Sequence, residues 1–268
     1  MAKISKIYAR EILDSRAYPT VEAKVVLDNH YYGVASAPSG VSTSKSEAVE
    51  VRDNDKERFE GLGVLRAVDN IVNIIQPKLV GVDCEDQKKI DEILISLDGT
   101  ENKSRLGVNA VLPVSIACVK AAAAYARQPL YQYLSSKFFD SKISIPTPLF
   151  NLINGGKHGA GNLDFQEFFV IPSKIKPFSS GLKMAVEIYF SLKKLLIFKN
   201  AIHSVGDEGG FAPNLYTNSD ALELLTESLS VTGYHLGQDL FLGLDIAASN
   251  LKVGPLYQLK DRSNAVGS

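Results

Sequence analysis

The sequence predicts an α/β-class protein in two units: an α+β unit over residues 1–139, an antiparallel sheet followed by helices, and an α/β unit over residues 145–268. Three observations predict this. Period-two alternation of apolar residues occupies the chain up to Ala37, and only helical spacing follows between Leu62 and Phe139. Beyond Ile145-Pro146, apolar runs of strand length alternate with amphipathic helices. Strands followed by helices define an α+β layer, whereas alternation of the two, with strands apolar on both faces, indicates a parallel α/β layer or barrel.

Val21, Ala23, Val25 and Leu27 alternate with Glu22, Lys24 and Val26, Asp28-Asn29 supplies a turn, and Tyr31 to Ala37 returns. With Ile4 to Ile12 ahead of them, these segments make a small antiparallel sheet. Ala37 to Thr43 (APSGVST) is a loop by its proline, glycine and hydroxyl residues. Ser44 and Glu47 have capping-box spacing and predict a short helix over SEAVEVRD. Leu62, Leu65, Val68, Val72 and Ile75 predict a helix up to Pro77, and Ile90, Ile93, Leu94 and Leu97 one that stops at Asp98-Gly99. A third helix runs from about Val108 to Arg127, and Pro113 should kink it because proline has no N–H to donate.

In the second unit, Leu149 to Ile153, Phe165 to Ile171 and Phe241 to Ala247 read as strands. Met184, Ile188, Leu192, Leu195 and Leu196 mark one helix between them, and Leu222, Leu225 and Leu229 a second. Leu251 to Leu259 suits a hairpin, and the residues from Lys260 onward show no periodicity.

Composition excludes several classes. The 268 residues are 45% hydrophobic and 22% charged with a net charge of −1, which leaves no basic footprint for nucleic acid or an anionic membrane surface. No segment is read as approaching the ~18 apolar residues of a membrane span. Cys84 and Cys118, the only cysteines, lie in no metal-ligand spacing, and Cys118 falls in an apolar helix as a buried free thiol. These features point to the cytoplasm.

Function concentrates in glycine-rich polar segments at strand ends. SVGDEGGFAPN, Ser204 to Asn214, sets Asp207 and Glu208 among glycines that let the backbone turn sharply and approach a ligand. NGGKHGAGNLDFQE, Asn154 to Glu167, lies upstream, and Asp245 closes an apolar run downstream. Each has a plain alternative: a solvated acidic turn, a solvated His158, an Asp245 that only caps the next turn, a Ser42 that caps a helix. Their joint placement at strand ends is what favours a site.

KIYAREILDSR, PSGVST with EAVEVRDND, LGVNAVLPVSIACVKAAA, NLINGGKHGAGNLDFQEFFVIP, VGDEGGFAPN and GLDIAAS together resemble enolase (phosphopyruvate hydratase) in order and spacing, from about Lys3 to Leu259. The resemblance implies an enolase N-terminal domain followed by the first part of an enolase-type TIM-like barrel, since a closed barrel takes roughly 250 residues. It also implies reversible dehydration of 2-phosphoglycerate to phosphoenolpyruvate, with Mg²⁺, in a cytoplasmic homodimer. On that resemblance Glu208 is the proton donor and Glu167 its partner acid, while His158, Gln166 and Glu167 contact the substrate. Asp245 matches the first Mg²⁺ ligand, and Ser42 the serine that closes onto substrate and a second metal ion.

The family's other two metal-binding acids and its base lysine would follow the end of the sequence given. Three readings therefore stay open: enolase activity, a non-catalytic enolase-like interaction module, and a truncated fragment. Ala17 and Tyr18 stand where the family has Gly-Asn, Pro113 replaces a helix glycine, and Asn250 replaces a glutamate.

Overall fold

The computed structural model describes residues 2–40, 47–139, 142–159 and 163–260. They fall into two compact units, Met1–Ile143 and Ser144–Ser268, each with its own hydrophobic core.

In the first unit, β1 (Ile4–Leu13), β2 (Pro19–Leu27) and β3 (Tyr32–Ser36) form an antiparallel sheet in that order. Ala23 stands opposite Ala9 on one side and Ala35 on the other. The alternation read from the sequence holds: Val21, Ala23, Val25 and Leu27 are buried, and Glu22, Lys24 and Val26 lie on the partly exposed face. α1 (Leu65–Asp69), a π-helical turn (Asn70–Ile75) and α2 (Gln76–Leu79) follow without a gap, so the helix continues past Pro77. Pro77 falls in the first turn of α2, where a missing N–H is least costly. α3 (Gln87–Asp98) is capped by Asp86, which accepts from the Lys89 N–H at 3.2 Å, and closes at Gly99 with φ of 68°.

α4 (Val108–Tyr125) runs through Pro113 without interruption and is followed by α5 (Leu130–Phe138). α4 packs against β2 and β3. A Cβ on Gly33 would lie 2.1 Å from the Ala117 carbonyl oxygen and 2.5 Å from the Ala121 nitrogen, so helix and sheet meet backbone to backbone. By length and composition α4 is apolar enough to cross a membrane, which corrects the reading that no segment comes near a span. Its buried face, from Ala110 to Ala122, instead forms much of this unit's core. Cys84 and Cys118 are both buried free thiols, and the Cys84 Sγ–H donates to the Cys118 carbonyl at 3.1 Å.

The helix expected over SEAVEVRD does not form in the described part of that segment, and Ser44 lies outside the described residues. Tertiary partners take the backbone groups a helix would need. The Val49 N–H donates to Asn102 O, the Val108 N–H to Val49 O, and the Asp53 N–H to Gly63 O. The Asn109 side chain bonds both the N–H and the C=O of Val51. Val49 and Val51 are also weak helix formers, so the long-range bonds override a capping signal.

In the second unit, β4 (Phe150–Asn154), β5 (Glu167–Pro172) and β6 (Leu240–Asp245) form a sheet in the order β4-β5-β6. Both pairings are antiparallel, which corrects the parallel arrangement expected of these strands. For β5 and β6 the cause is the connection. Two helices, α6 (Phe178–Phe198) and α7 (Asn218–Ser230), separate β5 from β6, and a helical pair returns the chain to the end it left, where a single helix would carry it across. Leu240 accordingly pairs with Pro172, at the end of β5. Among the described residues this sheet does not close. It is the partial α/β barrel layer expected, with Met184, Ile188, Leu192 and Leu196 of α6 and Leu225 and Leu229 of α7 buried in its core. β7 (Lys252–Val253) and β8 (Leu256–Tyr257) form the hairpin expected over Leu251 to Leu259.

Gly33→Ala drives a methyl into the α4 backbone, where neither partner has a flexible side chain to move aside. The expected loss is about 1–3 kcal/mol, read from urea unfolding followed by circular dichroism. An unchanged midpoint would show that α4 and β3 separate freely.

Candidate active site

Strand ends assemble the site. Glu167 opens β5 and is paired with Asn154, the last residue of β4, and with Asp245, the last residue of β6. The antiparallel register therefore brings an amide and two carboxylates to one end of the sheet. On the open side of β4, the Phe211 N–H donates to Leu152 O at 2.9 Å and the Asn154 N–H to Phe211 O at 2.8 Å, and Val205 pairs antiparallel with Phe211, so residues 204–212 form a tight hairpin-like loop held to that edge at Phe211. That edge delivers Glu208 to the same end.

Glycines make this approach close. Added Cβ atoms on Gly206 and Gly210 would lie 2.8 Å from Asn154 Nδ2 and 2.1 Å from Asn154 Oδ1, so the Asn154 amide is wedged between two bare backbones. Gly209 has φ of 87°, a conformation that side chains disfavour. Tyr189 of α6 supports the loop from beneath. Its ring stacks on Phe211 with centroids 4.3 Å apart, and its hydroxyl donates to the Gly209 carbonyl at 3.2 Å.

His158 ends a short 3₁₀ turn, Gly156–His158, that leaves β4. The residue is buried, and its Nδ1 lies 3.1 Å from Glu208 Oε2 and 3.5 Å from Glu167 Oε1. It is aligned for a hydrogen bond to neither, and among the described residues both ring nitrogens lack a hydrogen-bond partner. Burial first, then a hydrogen bond donated by protonated Glu167 to Glu208 and the negative charges of Glu208 and Asp245, push the Glu167 carboxyl up to about 8. Two carboxyl groups in contact, one of them buried, hold a proton at a pH where isolated carboxylates have lost theirs. Such a pair can act as a general acid near neutrality.

The structure brings together His158, Glu167 and Glu208 of the residues picked from sequence. Asp245 lies beside them in register, and its Oδ1 accepts from the Ala247 N–H at 2.9 Å, so it does cap the next turn. Gln166 is buried; its backbone bridges Gly155 N–H and Asp245 O, while its side-chain oxygen has no partner among the described residues. Asp207 is exposed and outside the cluster. Ser42 lies outside the described residues.

Mg²⁺ asks for near-octahedral oxygen coordination, usually with more than one carboxylate. Among the described residues Asp245 is the one implied ligand, and one of its oxygens is engaged by the chain. This donor set alone does not make a Mg²⁺ cage.

Sequence reasoning missed Asn154 and Asn218. Asn218 Oδ1 accepts from the backbone N–H groups of Asp164 and Phe165 at 3.1 and 3.0 Å, which fastens the loop ahead of Glu167 to the start of α7. The capping box formed by Thr217 and Asp220 was readable as a helix start, but the reach of Asn218 across more than fifty residues was not.

A sheet whose strand ends gather paired carboxylates and a buried histidine under glycine-tight loops has the layout of an acid–base site at the strand ends of an α/β barrel layer. Comparison with known proteins agrees. The family model described as "Enolase, N-terminal domain" matches residues 4–134, and that described as "Enolase, C-terminal TIM barrel domain" matches residues 142–265. A curated relative, "Enolase" of Ehrlichia canis (strain Jake), is 48% identical over 258 residues, which cover 96% of this chain and 61% of that relative. The chain belongs to the enolase family and spans about three fifths of that relative's length.

The raised Glu167 carboxyl fixes the sign of a stability effect. A group whose pKa is higher folded than unfolded stabilises the fold fully below the unfolded value, near 4.5, and that contribution is lost as pH rises toward about 8. The melting temperature should therefore fall between pH 5 and pH 8, and Glu167→Gln should flatten that slope. A slope that persists in the variant would assign it to other groups.

Proposed function

We propose that this chain carries the acid side of an enolase-type reaction, the reversible dehydration of 2-phosphoglycerate to phosphoenolpyruvate. The observation that supports it best is the convergence of Glu208, Glu167 and His158, with the Glu167 carboxyl lifted to about 8. Loss of hydroxide from the carbon next to a carbanion-like centre needs a proton at the departing oxygen. Glu208, the more exposed of the two acids, donates that proton, and Glu167 retains it in the pair until the substrate arrives. His158 donates to or accepts from the same oxygen, and buried Gln166 offers a side-chain carbonyl, unpartnered among the described residues, to orient the substrate.

Asp245 would contribute one carboxylate to a Mg²⁺ site completed by further ligands, and such an ion would supply charge stabilisation to the substrate's carboxylate. Ser42 belongs to the same proposal as a residue that closes on substrate and metal. The setting is the cytoplasm, within glycolysis and gluconeogenesis, and the assembly is a homodimer. The domain division proposed is an enolase N-terminal domain over 1–139 and a barrel domain over 145–268.

The test is phosphoenolpyruvate formation from 2-phosphoglycerate, followed in the ultraviolet across a Mg²⁺ series, with Glu208→Gln alongside. Loss of a general acid should lower turnover by about 10²–10⁴-fold. A chain that melts cooperatively yet forms no product would sink the catalytic reading and leave the enolase-like interaction module in its place.

A further inference from the structure

The loop from β5 into α6 lies at the far end of the sheet from Glu167. β5 runs from Glu167 to Pro172, and at about 3.3 Å per residue its two ends stand roughly 17 Å apart, so a ligand at the far end is distinct from one at the carboxylate pair. A cavity of about 110 Å³ opens there, walled on one side by Pro146, Pro148 and Pro172, which have no N–H to donate, and on the other by Ser173, Lys174 and the start of α6. At about 30 Å³ per water, it has room for a small oxyanion and its remaining water. α6 is 21 residues long, and its N-cap, Pro177, supplies no side-chain cap. The Gly181 N–H is the first to find an acceptor in the helix, Pro177 O at 3.0 Å, which leaves the N–H groups of Phe178, Ser179 and Ser180 without one there.

Ser173 is the second, independent observation. It lines the cavity and is only 8% exposed. Its N–H donates to Asp239 O and its C=O accepts from the Lys176 N–H, while its hydroxyl has no partner among the described residues. A hydroxyl enclosed in this way is costly until a ligand engages it. Charge agrees in sign. Lys176 Nζ lies 2.9 Å from Asp239 Oδ1, so the acid nearest the cavity is answered within the chain, and exposed Lys174 has no ion-pair partner among the described residues. We propose that this cavity binds a phosphate dianion, either the free ion or the terminal phosphoryl group of a small molecule. Open N–H groups, a hydroxyl and an ammonium are all donors, and a tetrahedral dianion has acceptor oxygens enough to engage them together, where a carboxylate has two. The positive end of the α6 dipole adds to the attraction. The site does not depend on the proposed dehydration.

Inorganic phosphate is the probe, titrated into the isotope-labelled full chain at a pH where it is doubly ionised, with sodium chloride holding the ionic strength constant. The amide resonances of Phe178, Ser179 and Ser180 should shift saturably, and chloride alone should leave them in place. Ser173→Ala should raise the Kd at least about tenfold, as loss of a hydrogen bond to a charged group does. Lys174→Glu should raise it about fivefold, and Lys174→Arg should retain the parent affinity. Glu208→Gln, at the other end of the sheet, should change nothing. Phenyl phosphate separates the two sources: shifts of the same amides assign the site to a phosphoryl group, and shifts with inorganic phosphate alone assign it to the free ion. Circular dichroism melts establish that each variant is folded, and Lys174→Glu, at an exposed position, covers the case in which Ser173→Ala does not fold. Amides that stay in place, that follow chloride equally, or that titrate with unaltered affinity in both cavity variants would each overturn the site. So would shifts confined to residues 155–167 and 204–212. A chain with no turnover but with these shifts would retain the anion site and lose only the dehydration.

Discussion

The register of β5 between its two neighbours governs the second unit. Glu167 is opposite Asn154 on one side and Asp245 on the other, and because side chains alternate faces along a strand, a shift of β5 by one residue would turn Glu167 away from both. Several features hold that register. The Gly155 N–H donates to Gln166 O and the Gln166 N–H to Asp245 O, so the ladder extends one step past Glu167 at its most critical end. Asn218 fastens the loop that leads into β5, and Phe168 and Val170 bury the opposite face among α6 and α7.

Electrostatics follow from that placement. A glutamate at the start of an exposed strand would ionise like any other. Glu167 is instead half-enclosed by the loop carrying His158 and the edge carrying Glu208, and burial contributes most to its raised pKa, ahead of its acidic neighbours. The same enclosure leaves the His158 ring nitrogens without a hydrogen-bond partner among the described residues. The site thus stores two kinds of cost, a pair of acids that cannot readily both ionise and a buried ring unsatisfied among the described residues. Sites of this kind reduce fold stability where they increase chemical potential.

The first unit obeys a different constraint, which is close packing. α4 can rest against β3 only because Gly33 has no side chain and Ala117 and Ala121 have small ones. Arg58 and Asp53 organise its other edge: Arg58 pairs with Glu11 of β1, and Asp53 accepts from the backbone N–H groups of Leu65 and Arg66 at the start of α1. The Arg58 hydrogen bond holds the Glu11 carboxyl below its ordinary range, in contrast to the raised Glu167.

Much of this was determined by the sequence alone. Alternation at Val21 to Leu27, helical spacing in α3, α4 and α6, and glycine-framed acids at strand ends are local patterns, and local patterns record which face of an element is buried and where the backbone must turn. Family membership was readable for the same reason, since its motifs are contiguous strings. Tertiary structure decided what depends on partners distant in the chain. It overruled the helix at residues 47–53, because Asn102, Asn109 and Gly63 claim those backbone groups. It made the β4-β5-β6 sheet antiparallel, because two helices intervene before β6. It also set His158 3.1 Å from an acid fifty residues away, a distance that no spacing along the chain encodes, and the pKa of Glu167 comes from that gathering.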